Sequence, residues 1–266
     1  MKIGLALSGG AARGMAHVGV LRALLEHGIP IDCIAGTSAG SIVAGAFASG
    51  MPIDEIAEFG RKLRWRDIGR VTMSRLGIQS NERLEQFLRA RLPVTKFEEL
   101  AIPFAAVATD LITGEAVVLK GEGDVPFAIR ASCTIPGWYV PVLDQQGRQL
   151  VDGGLVAVVP STMTRSLGAD RVIAVDVNTE GATFITPSSS MIGVLLQSMM
   201  LVQKTASSYQ LGMSDLVISP KVGHIRWDEM GRADELMEAG YKVGLESIPK
   251  IRALIDSVSE RAEMRV

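Results

Sequence analysis

Short apolar runs alternate with longer mixed runs along the chain. The runs Ile3–Leu7, Ile31–Ala35, Phe104–Ala108, Glu115–Leu119, Gln149–Val151, Val172–Val175 and Leu216–Ser219 read as strands. Between them, helical spacing predicts helices over Gly14–His27, Ser41–Ala48, Asp54–Leu63, Asn81–Arg91, Pro126–Ser132, Ser161–Leu167, Met191–Gln210 and Ala233–Ser257. This alternation argues for an α/β protein with a mostly parallel sheet covered on both faces. No internal repeat is evident. The stretch Thr179–Ser190, with Gly181, Pro187 and three consecutive serines, is expected to be a surface loop.

One junction in this pattern carries chemistry. The apolar run Ile31–Ala35, bounded by Pro30, leads into Gly36-Thr37-Ser38-Ala39-Gly40, and a helix rich in small residues follows. A strand that turns sharply into a helix strains the serine backbone and exposes its Oγ. Gly36 and Gly40 lack a Cβ, so the turn can be tight and the helix can sit close to the strand. The bland alternative makes Ser38 a helix cap.

Composition narrows the class. The chain has 266 residues, 47% hydrophobic and 5% aromatic, so it can bury a large, mainly aliphatic core. Its length fits one α/β domain over residues 1–266. A net charge of −2 gives no case for a nucleic-acid binder. Two cysteines, Cys33 and Cys133, are too few for a disulfide scaffold and are expected to be buried thiols. No transmembrane run is evident. The apolar start stops at Leu7, too short for a signal peptide, so a cytoplasmic protein is expected.

A serine nucleophile needs a place for the developing oxyanion and a base. Ser8-Gly9-Gly10-Ala11-Ala12-Arg13-Gly14 follows the first strand and opens a helix. Its small residues leave backbone N–H groups uncovered at a helix N-terminus, which suits an oxyanion or a phosphate. Arg13 adds either a fixed charge or a structural tie. A Walker A lysine is absent, and Asp32 stands at the start rather than the end of its strand, which argues against a dinucleotide site. For the base there are two readings. Asp152, in Val151-Asp152-Gly153-Gly154, follows a strand and is either an inward carboxylate or the cap of a turn. The other reading is an α/β-hydrolase-like triad of Ser38, Asp176 or Asp215, and His224. Only about 35 residues precede Ser38, too few for the strands such folds place there.

Together these residues resemble the patatin-like phospholipases. The turn Gly9–Gly14, the elbow Gly36–Gly40 and Asp152-Gly153-Gly154 match the family's three motif blocks in order. The likeness is strongest to short bacterial members similar to the catalytic domain of neuropathy target esterase. The resemblance implies a three-layer α/β/α fold and a Ser38–Asp152 dyad without histidine. It implies an oxyanion hole from the N–H groups of Gly9, Gly10 and Ala11, with Arg13, Gly14, Gly36, Gly40, Gly153 and Gly154 in support. No metal or organic cofactor is implied. Two departures stand out. Ala11 occupies the third glycine position of the turn and restricts its dihedrals. Val158-Val159-Pro160 replaces an Asn-x-Pro step, which predicts one lost hydrogen bond near the site.

The expected partner is a lipid or another acyl ester: phospholipid, lysophospholipid, monoacylglycerol and thioester all satisfy the same dyad. Arg61, Lys62, Arg64, Arg66, Arg70 and Arg75 cluster around Trp65, which suits either a peripheral contact with an anionic membrane or a solvated face. Met191, Met199, Met200 and Leu201 form a stripe that suits either an acyl pocket or a core helix. A different class of function, an anion-binding regulatory module with a vestigial dyad, fits the same motifs. Oligomeric state is not legible.

Overall fold

The computed structural model describes residues 1–178 and 190–263. The expected loop Thr179–Ser190 lies outside these, apart from Ser190. In chain order the elements are β1 (Ile3–Leu7), α1 (Met15–Glu26), β2 (Cys33–Thr37), α2 (Ala39–Ala48), α3 (Ile53–Lys62), α4 (Trp65–Ile68), β3 (Arg70–Val71), β4 (Gly77–Ser80), α5 (Glu82–Arg89), β5 (Phe104–Asp110) and β6 (Ala116–Lys120). They continue with α6 (Val125–Ser132), β7 (Gly137–Tyr139), β8 (Val142–Leu143), β9 (Gln149–Asp152), α7 (Ser161–Arg165), β10 (Arg171–Val175), α8 (Met191–Leu211), β11 (Leu216–Ile218) and α9 (Ala233–Glu263).

The main sheet runs β11-β10-β1-β2-β5-β9-β8, with β6 also paired to β5. From β11 to β5 every pair is parallel; β6, β9 and β8 join antiparallel. Strand periodicity divides the core between the two faces. Ile3, Leu5 and Leu7 of β1 face a large cluster with Val20, Leu21 and Leu24 of α1. Ala6 faces the other way, toward Val158, Val159 and Ala174. On that second face a Cβ on Gly4 would lie 2.5 Å from Thr164 Cγ2, so α7 sits hard against the sheet. Helices α1 and α9 meet through small residues: a Cβ on Gly19 would strike the Met237 carbonyl, and one on Gly240 the Ala16 carbonyl. This contact fixes α1, and with it the turn that opens α1.

The strand expected at Ile31–Ala35 lies two residues later, at Cys33–Thr37. The Asp32 carboxylate accepts the Ile3 N–H at 2.6 Å, so the ladder begins beyond it. The later start brings the end of β2 directly to Ser38. The sequence pattern also left out a second, three-stranded sheet, β3-β4-β7. Its strands are two to four residues long, too short to show a period.

Candidate active site

The sheet register brings the site together. Thr37 at the end of β2 pairs with Val107 of β5, so Ser38 comes level with Ala108. Ala108 faces Asp152 from its other side. The two residues, 114 positions apart in sequence, therefore flank one residue of the central strand.

Ser38 has φ +51° and ψ −124°, a left-handed conformation that costs a non-glycine residue about 1 kcal/mol or more. Neighbouring groups hold it there. Its N–H donates to Ser132 Oγ at 2.8 Å, and Ser132 Oγ donates to the Val107 carbonyl at 2.6 Å. Its carbonyl accepts from Ser41 Oγ at 2.6 Å and from the Ser41 N–H at 2.8 Å. The turn needs Gly36 and Gly40 because they touch: a Cβ on Gly36 would lie 2.5 Å from Ser41 Cα, and one on Gly40 2.5 Å from the Ser8 carbonyl.

Asp152 is buried and caps the turn Gly153–Leu155, with the Gly154 N–H donating to its Oδ1 at 2.8 Å. The two readings of Asp152 are thus compatible: one oxygen holds a turn while the carboxyl lies beside the Ser38 hydroxyl in the same cavity. Burial pushes its pKa up to about 6, partly offset by the Ser38 hydroxyl and the Gly154 N–H. Its backbone is pinned on both sides, N–H to the Thr134 carbonyl at 2.7 Å and carbonyl to Thr109 Oγ1 at 2.9 Å. Gly153 lies against the Val107 carbonyl. The Cys133 thiol also borders Ser38, and burial raises its pKa above the ordinary thiol range.

The turn after β1 faces Ser38. A Cβ on Gly9 would stand 3.4 Å from Ser38 Cβ, and Gly14 packs against Ala39 of α2. Ala11 has φ +49°; with Ser38 it is one of two non-glycine residues at positive φ among the described residues. The expectation that Gly9 offers its N–H is corrected here: that group donates to the Val158 carbonyl at 3.0 Å. Ala12 and Arg13 N–H groups are taken up by the Trp227 and Gly10 carbonyls. Among the described residues, the Gly10 and Ala11 N–H groups have no acceptor. Arg13 is a structural tie: it is buried, and its Nε donates to the Ile225 carbonyl at 2.7 Å.

The turn after β1 has an amide side chain against it. Asn178, just past β10, donates from Nδ2 to the Gly9 carbonyl at 2.7 Å. That carbonyl belongs to the same peptide plane as the Gly10 N–H, so the amide of Asn178 sets which way that N–H points. Sequence reading missed this role, and that of Ser132. The polar ending Asp176-Val177-Asn178 on an otherwise apolar strand was the available signal for the first.

The histidine triad is not assembled. His224 is exposed and bonded to Glu235 at 2.9 Å. Asp215 pairs with Arg165 at 2.9 Å, and Asp176 is buried at the end of β10. His27 bonds the Ala23 carbonyl at 3.0 Å. His17 Nε2 donates to the Ser8 carbonyl at 2.8 Å, and burial lowers its pKa to about 4, so it is a neutral prop beneath the turn.

Two cavities meet at Ser38, Ala11 and Ile135. The larger, ≈810 Å³ counting its open mouth, is walled by Ile42, Ile56, Phe59, Leu63, Trp65 and Tyr139. The smaller, ≈540 Å³, is lined by Asp152, Asn178, Gln203 and Trp227 with Leu196, Met199 and Met200 of α8. The methionine stripe thus divides: Met199 and Met200 line a cavity, while Met191 and Leu201 are exposed.

A strained serine at a strand–helix turn, level with a buried carboxylate in a mostly parallel sheet, defines an α/β protein of the nucleophile-elbow type. The chain belongs to the patatin-like phospholipase family, whose model matches residues 5–164 and spans all three motif blocks. It is 40% identical over 180 residues to an uncharacterized NTE family protein of Mycobacterium tuberculosis, covering 66% of this chain and 49% of that protein. It is 38% identical over 185 residues to lysophospholipase NTE1 of Mycosarcoma maydis, covering 66% of this chain and 10% of that protein. The chain therefore spans about half the length of its mycobacterial relatives. The fold is similar to that of VipD from Legionella pneumophila, with TM-score 0.57 and 14% identity over 94% of this chain and 66% of that one. Human GIVD cytosolic phospholipase A2 is similar too, with TM-score 0.51 and 12% identity over 97% and 60%.

Proposed function

We propose that the chain hydrolyses acyl esters of lipids, with Ser38 as nucleophile and Asp152 as its base. One observation carries this reading: Ser38, strained and beside a buried carboxyl of pKa about 6, lines one cavity with Gly10 and Ala11, whose N–H groups have no acceptor among the described residues. Asp152 accepts the Ser38 proton as Oγ bonds to the ester carbon, and the carbonyl pair moves to oxygen. The Gly10 and Ala11 N–H groups receive that oxyanion. On collapse the ester C–O bond breaks and the alcohol leaves with the proton from Asp152. Water then repeats the sequence, releasing the carboxylic acid and restoring Ser38. A pKa near 6 suits both duties at neutral pH.

The apolar cavity takes the acyl chain, and the smaller, more polar one the alcohol half. The relative named a lysophospholipase supports a phospholipid or lysophospholipid ester as substrate. Both cysteines are buried free thiols, which suits the reducing cytoplasm. No helix among the described residues is long and apolar enough to cross a membrane. A fluorophosphonate probe tests the proposal: it should label Ser38 stoichiometrically, with the adduct located by peptide mass spectrometry. Absence of labelling in folded protein would favour the anion-binding module.

A further inference from the structure

The basic stretch from Arg61 to Arg75 separates into two parts. Arg61 pairs with Asp234 at 2.6 Å and Lys62 with Glu58 at 3.0 Å, so both are neutralised on the body of the protein. Trp65 is half-buried, donates to the Asp228 carbonyl at 3.0 Å and meets Trp227 edge-on, so it belongs to the cavity wall. Beyond it the chain forms a hairpin, β3 against β4, closed at Thr72 N–H to the Ile78 carbonyl, 3.1 Å. This hairpin has an unusual surface. Val71 is 75% exposed, Leu76 59%, and Met73 at the tip is fully exposed. Arg66, Arg70 and Arg75 are exposed around them and form no ion pair among the described residues. The Arg83 guanidinium adds a further charge, donating to the Arg66 carbonyl at 3.0 Å. Of the nearby acids, Asp67 accepts from the Arg64 N–H at 3.0 Å, and the exposed Glu82 pairs with Arg130 at 3.7 Å.

We propose that the β3–β4 hairpin is the surface by which this protein docks on an anionic lipid bilayer, with Val71, Met73 and Leu76 entering the interface and Arg66, Arg70 and Arg75 contacting headgroups. The inference rests on the acyl-lipid reading of the site. Apolar side chains ringed by unpaired arginines match an anionic interface in both polarity and charge. They do not match a second copy of the same face, which would set Arg70 and Arg75 against their own kind. Position supports the assignment. β4 pairs with β7, whose Tyr139 lines the larger cavity, and Trp65 and Ile68 of α4 line it just before β3 begins. The sheet that carries the exposed tip is thus also a wall of the cavity that ends at Ser38. A docked hairpin would set that wall on the bilayer from which the substrate comes.

Flotation with phosphatidylglycerol–phosphatidylcholine vesicles, compared with pure phosphatidylcholine vesicles at low and high salt, tests this. The protein should float with the anionic vesicles at low salt and less so at high salt. Met73→Ser with Leu76→Ser, and separately Arg70→Ala with Arg75→Ala, should each lower partitioning about tenfold or more. Turnover of a soluble ester should be unchanged in both. Failure of the wild type to float at low salt, or variants that float like the wild type, would overturn the proposal. A concentration-dependent dimer abolished by the serine pair, without vesicle binding, would overturn it in favour of a second copy. Hairpin-dependent flotation in a protein that turns over no ester would support the surface and sink the catalytic reading alone.

Discussion

Two adjacent strands of this sheet end in the same way and do different things. β1 and β2 lie side by side in parallel register, with Leu7 opposite Gly36. Each runs into a sharp turn before a helix, and each turn holds a non-glycine residue at nearly the same left-handed φ, +49° at Ala11 and +51° at Ser38. At Ser38 the strain presents a hydroxyl. At Ala11 the side chain is a bare methyl, and the Gly10 and Ala11 N–H groups beside it have no acceptor among the described residues. The same strained turn thus serves twice, and on the proposed mechanism the neighbouring residues decide whether it offers a nucleophile or a receptor for charge. Each turn also depends on a polar side chain from another element: Ser132 of α6 for Ser38, and Asn178 beyond β10 for the Gly9–Gly10 peptide.

The comparison breaks hardest where the two turns differ most. Ser38→Ala and Ser38→Gly should each cut turnover of p-nitrophenyl esters by a factor on the order of 10⁵, as loss of a nucleophile does elsewhere. Circular dichroism should show the fold intact. Wild-type turnover in either variant would remove Ser38 from the mechanism.

Asp152→Asn comes next, with turnover falling on the order of 10³ to 10⁴. In the wild type, kcat/KM should rise through a single ionisation near pH 6 as Asp152 loses its proton. The same shift bears on stability. An acid whose folded pKa is raised contributes stability below its unfolded pKa, near 4, and loses it as pH rises through the folded value. Asp152→Asn should therefore be more stable than the wild type at pH 8, by on the order of 3 kcal/mol, and the gain should vanish near pH 4. Denaturant melts at the two pH values measure this, and an equal difference at both would contradict the raised pKa.

Asn178→Ala tests the support of the other turn. With the Gly9 carbonyl released, the Gly10 N–H loses its orientation. Turnover should fall roughly tenfold, less than the 10²–10³ for outright loss of an oxyanion donor. The loss should appear in kcat with KM little changed, because the N–H acts on the charged intermediate rather than on the bound ester. A change confined to KM would make Asn178 a substrate contact instead.

The smallest effect is expected at Ala11→Gly. The variant keeps the N–H and relieves the strain, while greater freedom of the unfolded chain offsets the gain, so stability should move by less than about 1 kcal/mol. Turnover should stay within about threefold of the wild type. The same glycine substitution thus separates the two turns: harmless at position 11, abolishing at position 38.

Much of this architecture was legible in the pattern of apolar positions. The buried parallel strands and the amphipathic helices announce themselves because burial forces a period of two or of 3.6. The three glycine-rich blocks were legible too, since close backbone approach leaves no alternative residue. The small β3–β4–β7 sheet was not, because two- to four-residue strands with mixed burial carry no period. The sequence also grouped Trp65 with the basic residues on either side of it, whereas packing on Trp227 turned it into the cavity wall.

What the sequence determined by itself was the chemistry on offer: a serine in a strand–helix turn, a carboxylate at a strand end and small residues that leave backbone N–H groups bare. These are local properties, written in a handful of adjacent residues. What only the tertiary structure decided was which groups meet and which are already taken. Sheet register set Ser38 and Asp152 on either side of Ala108, burial raised the carboxyl pKa to about 6, and one long-range hydrogen bond tied up the Gly9 N–H while another, from Asn178, held the Gly9–Gly10 peptide. The physical reason is that availability belongs to the whole fold: a hydrogen-bonding group is free only if no other part of the chain has claimed it.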